Sequence, residues 1–235
     1  MAGVTGLAAV PKADFAQDLA RIHTEATGGR ERLMALKSLK ASGVTTSEIG
    51  ELRFVMWAAR PNHIRTEVTG RARTIAQGWD GKQVPWSADS LTRRIMLMSG
   101  AMAEEFKVDA EFDDPLLVGE KRQVSLDYVG EATEGGRTFL KVLVTQNFTA
   151  TSFVYLDAET YLIMRRDVVR WQKGVETTVR TDYSDFRAVA GVVLPHRLVV
   201  SRDGKRVNET VIDHMEPNVV LPAGIFSVPA TAAAK

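Results

Sequence analysis

Cysteine is absent from the sequence, which excludes a disulfide framework, thiol nucleophiles, cysteine-ligated metals and lipid attachment to a cysteine. Long apolar runs are absent too, and nothing approaches the ~18 consecutive residues that mark a membrane-spanning helix. Neither charge dominates: Lys plus Arg total 30 and Asp plus Glu 29, a formal net charge of +1. The bulk electrostatic signature of a nucleic-acid binder is therefore missing, and no nucleic-acid partner is expected. The chain has no G-x-S-x-G elbow, no P-loop and no G-x-G-x-x-G, so nothing marks a nucleophile or a phosphate cradle. The four histidines, His23, His63, His196 and His214, fall in unrelated predicted elements, and none forms the i, i+4 pair of a helical metal site. The residues predict no catalytic centre, no cofactor and no metal. An enzyme that orients its substrate without classical catalytic groups is an alternative.

What is present is a large apolar fraction, 45% of 235 residues, enough to build one substantial core. Residues 1–13 are small and apolar and read as a flexible tail or the remnant of an export signal. Between 14 and 37, apolar residues recur at three and four positions, interrupted by Gly28-Gly29, which predicts two short helices. From Leu39 the period changes to two. Strand-like runs at 39–48, 51–60, 63–69, 72–79 and 83–87 are separated by turn residues, and a second series follows at 122–131, 137–146, 150–157, 161–171, 175–187, 192–202 and 206–215. Between the two series, residues 89–112 carry Leu91, Ile95, Met98, Met102 and Phe106 at helical spacing, which predicts a helical insertion with one apolar stripe. Residues 14–229 form a single predicted domain, with 230–235 as a C-terminal tail. The fold class is α+β, mainly antiparallel β, with about 11 or 12 strands curling into a barrel or half-barrel.

Three local features bear on function. The stretch from Gly78 to Trp86 places Trp79 and Trp86 on either side of an Asp80-Gly81 turn. If the loop holds an even number of residues, both indoles face one side of the sheet, as core or pocket wall. The segment Ile95 to Met102 is rich in methionine, a flexible side chain that fills irregular apolar space. It reads either as a helix packed permanently on the sheet or as a lid hinged at Gly100. The acidic run Asp109, Glu111, Asp113 and Asp114 lacks the spaced ligands of a calcium loop and reads as a solvated helix end.

The run Trp57-Ala58-Ala59-Arg60-Pro61-Asn62, followed by Trp79-Asp80-Gly81-Lys82 and Trp86, resembles the W-x-x-R-P-N and D-G-K-x-x-W signature of the LolA/LolB-like superfamily. The wider group of outer-membrane lipoprotein-sorting-like periplasmic proteins is similar through Thr27-Gly28-Gly29-Arg30, Tyr155 to Leu162, Asp182 to Phe186, Gly191 to His196 and Leu221 to Pro229. Here the spacing from Asp80 to Trp86 is one residue longer than in the carriers, and Pro85 interrupts the second strand. The resemblance implies an unclosed barrel with a helical lid over a hydrophobic cavity that takes a lipid or the acyl chain of a lipoprotein. It implies a periplasmic location in a Gram-negative bacterium and membrane-associated donor or acceptor proteins. The candidate cavity and lid residues are Trp57, Trp79, Trp86, Leu91, Ile95, Met98 and Met102, with Arg60 as the lid latch. A periplasmic sensor or adaptor with the same fold and no cargo is the alternative.

Overall fold

The computed structural model describes residues 12–117, 124–146, 150–172 and 175–230. The expected tails lie almost wholly outside these residues. Two helices open the chain, α1 (Lys12–Ala26) and α2 (Arg30–Ala35), and six strands follow: β1 (Ser38–Ser47), β2 (Gly50–Ala59), β3 (His63–Thr69), β4 (Thr74–Trp79), β5 (Trp86–Asp89) and β6 (Arg94–Leu97). Helix α3 (Gly100–Asp109) separates them from β7 (Val124–Glu134), β8 (Arg137–Gln146), β9 (Ala150–Asp157), β10 (Ile163–Gln172), β11 (Val175–Val189), β12 (Val192–Arg202) and β13 (Lys205–Pro217). Within β1 to β6 and within β7 to β13 few residues separate successive strands, which pair as antiparallel neighbours.

All thirteen strands belong to one sheet in the order β6-β5-β4-β3-β2-β1-β13-β12-β11-β10-β9-β8-β7. The first and last strands pair with each other in the middle, Leu39 opposite Pro217 and Thr45 opposite Thr210. The edges are therefore β6 and β7, and the sheet does not close. This is the mainly antiparallel, unclosed architecture that the sequence predicts, with one strand more. No helix among the described residues is long and apolar enough to cross a membrane.

Helix α1 lies on the inner face of the β7 side. Its Ala16, Leu19 and Ala20 pack with Leu116 against Leu126, Val142, Val144, Val154 and Leu156 in one buried cluster. Those strand residues alternate along β7, β8 and β9, as the two-residue period requires. The ring of Phe15 meets Tyr128 edge-on, with centroids 4.7 Å apart. After α1 the chain must turn against the β11–β12 hairpin. Gly28 permits this: its φ is 121°, and a Cβ there would stand 2.2 Å from the Gly191 carbonyl oxygen. The Val193 amide then donates to the Thr27 carbonyl at 2.9 Å.

The helical stripe expected over 89–112 is corrected by the structure. Residues 86–97 form the β5–β6 hairpin, and the helix begins only at Gly100. At the tip, the Asp89 carboxylate accepts the amide hydrogens of Leu91 and Thr92 and is held by Arg73. This side-chain turn reverses the chain before a helix can start. Leu91 and Ile95 thus sit on the hairpin, Met102 on α3 and Met98 between them, and they share no helical face.

Candidate functional site

Between the inner face and its covering helices, the space is divided into recesses. One cleft of about 310 Å³ runs between α2, the segment after α3 and strands β10 to β12, with Leu33, Leu36, Phe112, Ile163, Phe186 and Leu194 among its apolar lining. Neighbouring recesses of about 270 and 230 Å³ lie along α3, the first against β9 and β10 and the second beside Trp79. Glu104 and Val108 of α3 line both of these neighbouring recesses, and the attachment of the helix is unusual. Of its residues only Ala103 is buried.

Polar side chains hold this cover in place. Arg170 of β10 donates to Glu105 at 2.9 Å and to both carboxylate oxygens of Asp109 at 2.9 and 2.8 Å. Just past α3, Asp113 pairs with Arg60, and both side chains are only 14% exposed. Arg60 follows β2 and spends its remaining donors on helix α2: Nε donates to the Leu36 carbonyl at 2.8 Å and Nη2 to the Leu33 carbonyl at 2.5 Å. Leu36 caps the short helix α2, and the Leu33 carbonyl also accepts from the Leu36 amide at 3.3 Å. The guanidinium also lies 4.9 Å from the Phe112 ring centroid, and the Phe112 amide donates to the Pro61 carbonyl at 3.1 Å. A single arginine thus joins α2 to the segment that follows α3, through the fixed fork of donors that a lysine lacks.

A second tie runs from α1. Buried His23 places Nδ1 2.7 Å from the Tyr161 carbonyl and Nε2 2.7 Å from the Asp114 carboxylate. Both partners are acceptors, so both ring nitrogens carry hydrogen in the fully bonded state. Burial opposes the charge, but the Asp114 carboxylate outweighs it and raises the His23 pKa. The Asp114 pKa is lowered: its desolvation is outweighed by the charge and hydrogen bond of His23 and by the Leu116 and Leu117 amides.

The acidic run is therefore no solvated helix end. Asp109, Asp113 and Asp114 each hold a cation on a different element. Their partners lie 61, 53 and 91 residues away, and no local pattern announces them.

The tryptophans separate. Gly78 pairs with Trp86, so an odd number of residues separates Trp79 from its opposite residue, and the two indoles point to opposite faces, contrary to the even-loop expectation. Trp79 faces inward beside Val108 of α3, and its indole donates to the Gln83 carbonyl at 2.8 Å. Trp86 faces outward over Gly78, where a Cβ would stand 2.6 Å from the ring, and donates to the Phe226 carbonyl at 2.9 Å. Trp57 opposes Arg65, which lies over Trp86, so Trp57 faces outward as well. Trp57 and Trp86 are thus on the side covered by the C-terminal segment, away from the clefts, and the expectation that they wall the cavity is corrected. Met98 is 2% exposed, whereas Leu91 is 65% and Met102 54% exposed. Ile95 is half-buried on the edge strand, on the face of Ala88 and Ala76.

No family model matches the sequence, and no curated protein matches it. Solved structures do. A putative outer membrane lipoprotein-sorting protein domain from Vibrio parahaemolyticus is 10% identical, with a TM-score of 0.60 over 92% of this chain and 97% of that one. A DUF1329 family protein from Desulfovibrio piger is 11% identical, with a TM-score of 0.64 over 92% and 98%. A LolA superfamily protein from Nitrosomonas europaea is 13% identical, with a TM-score of 0.54 over 91% and 97%. Identities this low speak to architecture alone, and together with the open thirteen-stranded sheet and its inner helices they give the chain a LolA-like, lipoprotein-sorting-like fold.

Proposed function

We propose that this protein is a non-enzymatic periplasmic carrier that takes a lipid, or the acyl chain of a lipoprotein, beneath α3. The observation that carries the reading is the nature of the cover. A helix with one buried residue, moored by Arg170 and followed by segments tied to Arg60 and His23, can lift without opening the α1 core. Lifting it joins the recesses that α3 lines. Burying a methylene is worth about 0.8 kcal/mol, so about ten of them supply the ~8 kcal/mol of a micromolar complex. No catalytic group is needed. In this reading Arg60 is the latch, Trp79 and Met98 belong to the inner wall, and the cargo passes between membrane-associated donor and acceptor proteins. The lipoprotein-sorting description of the Vibrio parahaemolyticus domain supports the periplasmic setting.

Native mass spectrometry with lipid extraction of the purified protein tests this. Co-purified or added acyl lipid bound at one equivalent is the expected result. Protein that stays empty in the presence of fatty acids and phospholipids overturns it. A second reading, a cargo-free adaptor, draws on the division of the interior into recesses of a few hundred Å³ with every cover segment ion-paired in place. The adaptor keeps α3 fixed under all ligand conditions, whereas the carrier shows ligand-dependent hydrogen exchange over residues 100–117.

A further inference from the structure

Among the described residues, the cationic side chains that line these three recesses are paired, with one exception. Arg60 has Asp113, Arg170 has Glu105 and Asp109, and His23 has Asp114. Glu111 also has an interaction of its own. Arg166 of β10 differs: it lines both the 310 Å³ and the 270 Å³ recess, its Nε is buried without a hydrogen-bond partner, and no carboxylate among the described residues pairs with it. A half-buried guanidinium without a counter-ion is costly to keep. Next to it stands a hydroxyl. Arg166 opposes Thr181 in the ladder, so Tyr183, two residues on, is its diagonal neighbour on the same face, and Tyr183 lines the same cleft. Burial keeps the Tyr183 phenol protonated against the pull of Arg166, which leaves it a donor at neutral pH. The rest of the cleft combines apolar residues, Leu33, Leu36, Phe112, Leu162, Ile163 and Phe186, with the carboxylates of Asp109, Glu111, Asp113 and Asp114, of which Asp109, Asp113 and Asp114 are held by Arg170, Arg60 and His23.

We propose that Arg166 and Tyr183 form an anionic head-group site, and that the preferred ligand is a single-chain fatty acid whose carboxylate meets the Arg166 fork while its chain lies along the apolar cleft. The site rests on the carrier reading and narrows it. A planar carboxylate matches the guanidinium bidentately and supplies the missing counter-ion. A cleft of about 310 Å³ lies at the small end of ligand pockets, which suits one chain and excludes a folded two-chain phospholipid while α3 is seated.

Calorimetry at a pH of about 8, where the carboxylate is ionised, compares decanoate, decanol and acetate on the wild-type chain, Arg166→Gln and Arg166→Lys. Decanoate binds the wild type about tenfold or more tightly than decanol, a charge-assisted bond being the difference. Arg166→Gln abolishes that preference without lowering thermal stability, Arg166→Lys keeps part of it, and acetate binds too weakly to detect. Equal affinity of the wild type for decanoate and decanol overturns the head-group site and leaves the carrier reading standing. Retained preference in Arg166→Gln does the same, and acetate binding as tightly as decanoate shows a site for small carboxylates instead. Binding of neither alkyl ligand overturns both readings. If Arg166→Gln fails to fold, the wild-type ratio of acid to alcohol decides alone.

Discussion

Two helices cover the inner face of the same sheet, and they are attached by different physics. Helix α1 buries Ala16, Leu19 and Ala20 in the apolar cluster of β7 to β9, while α3 buries Ala103 alone and depends on Arg170. Apolar burial is non-directional and falls away only when the surfaces part. Ion pairs with partly exposed partners are geometrically exacting and can be exchanged for water at small net cost. One helix is therefore part of the core, and the other is held mainly by polar side chains, which is what the proposed carrier reading requires of a removable cover.

The largest effect expected from breaking this contrast is at Leu19, which is 1% exposed. Leu19→Ala deletes core volume and lowers the unfolding free energy by about 2–5 kcal/mol, visible as a lower midpoint in chemical denaturation with the whole sheet affected. Arg60→Leu comes next. It removes the guanidinium's own bonds to Leu33, Leu36 and Asp113 and costs about 1–3 kcal/mol. Hydrogen exchange accelerates over residues 100–117 and in α2, while α1 and β7 to β9 stay protected. A uniform acceleration across the sheet would show that Arg60 is an ordinary core support.

The His23 tie adds a pH dependence whose direction is fixed. His23 has a raised folded pKa, so its stabilisation is complete below the unfolded histidine value of about 6.5 and is lost as pH rises through the higher folded value. Asp114 has a lowered one, so its share is present above the unfolded aspartate value of about 3.9 and is lost as pH falls through the folded value. Thermal melts of the wild type thus lose stability as pH rises above about 6.5, relative to His23→Gln, which shows no such step. The smallest effect belongs to Met102, 54% exposed on α3. Met102→Ser changes stability by about 0.5 kcal/mol or less, and a loss comparable to that of Leu19→Ala would make α3 a core helix after all.

Strands bounded by Gly50, Pro61-Asn62, Gly135-Gly136 and Asp203-Gly204 were legible because turn residues and a two-residue period agree there. The β5–β6 hairpin was not. Ile95, Met96, Leu97 and Met98 are all apolar, so the run carries no alternation, and the spacing of Leu91, Met98 and Met102 mimics a helix. The tryptophans mislead for a different reason: one residue more or less in a loop sends a side chain to the other face. The position of Arg60 beside a strand end was legible from the family signature, but its partners were not. Arg166 carries no local signal, since what distinguishes it is the lack of a carboxylate among residues far away in sequence.

The pairing of β1 with β13 has a consequence for how the chain matures. During synthesis β1 to β6 and β7 to β12 emerge as two separate meanders, and β1 keeps one unsatisfied backbone edge until β13, the final strand of the sheet, has been made. Such an edge is a template for intermolecular pairing, and a closure between strands this distant in sequence is slow. The nascent protein is thus most vulnerable to aggregation in the interval before residues 205–217 join, and a ribosome-stalled chain lacking them would remain two half-sheets in need of a holding chaperone.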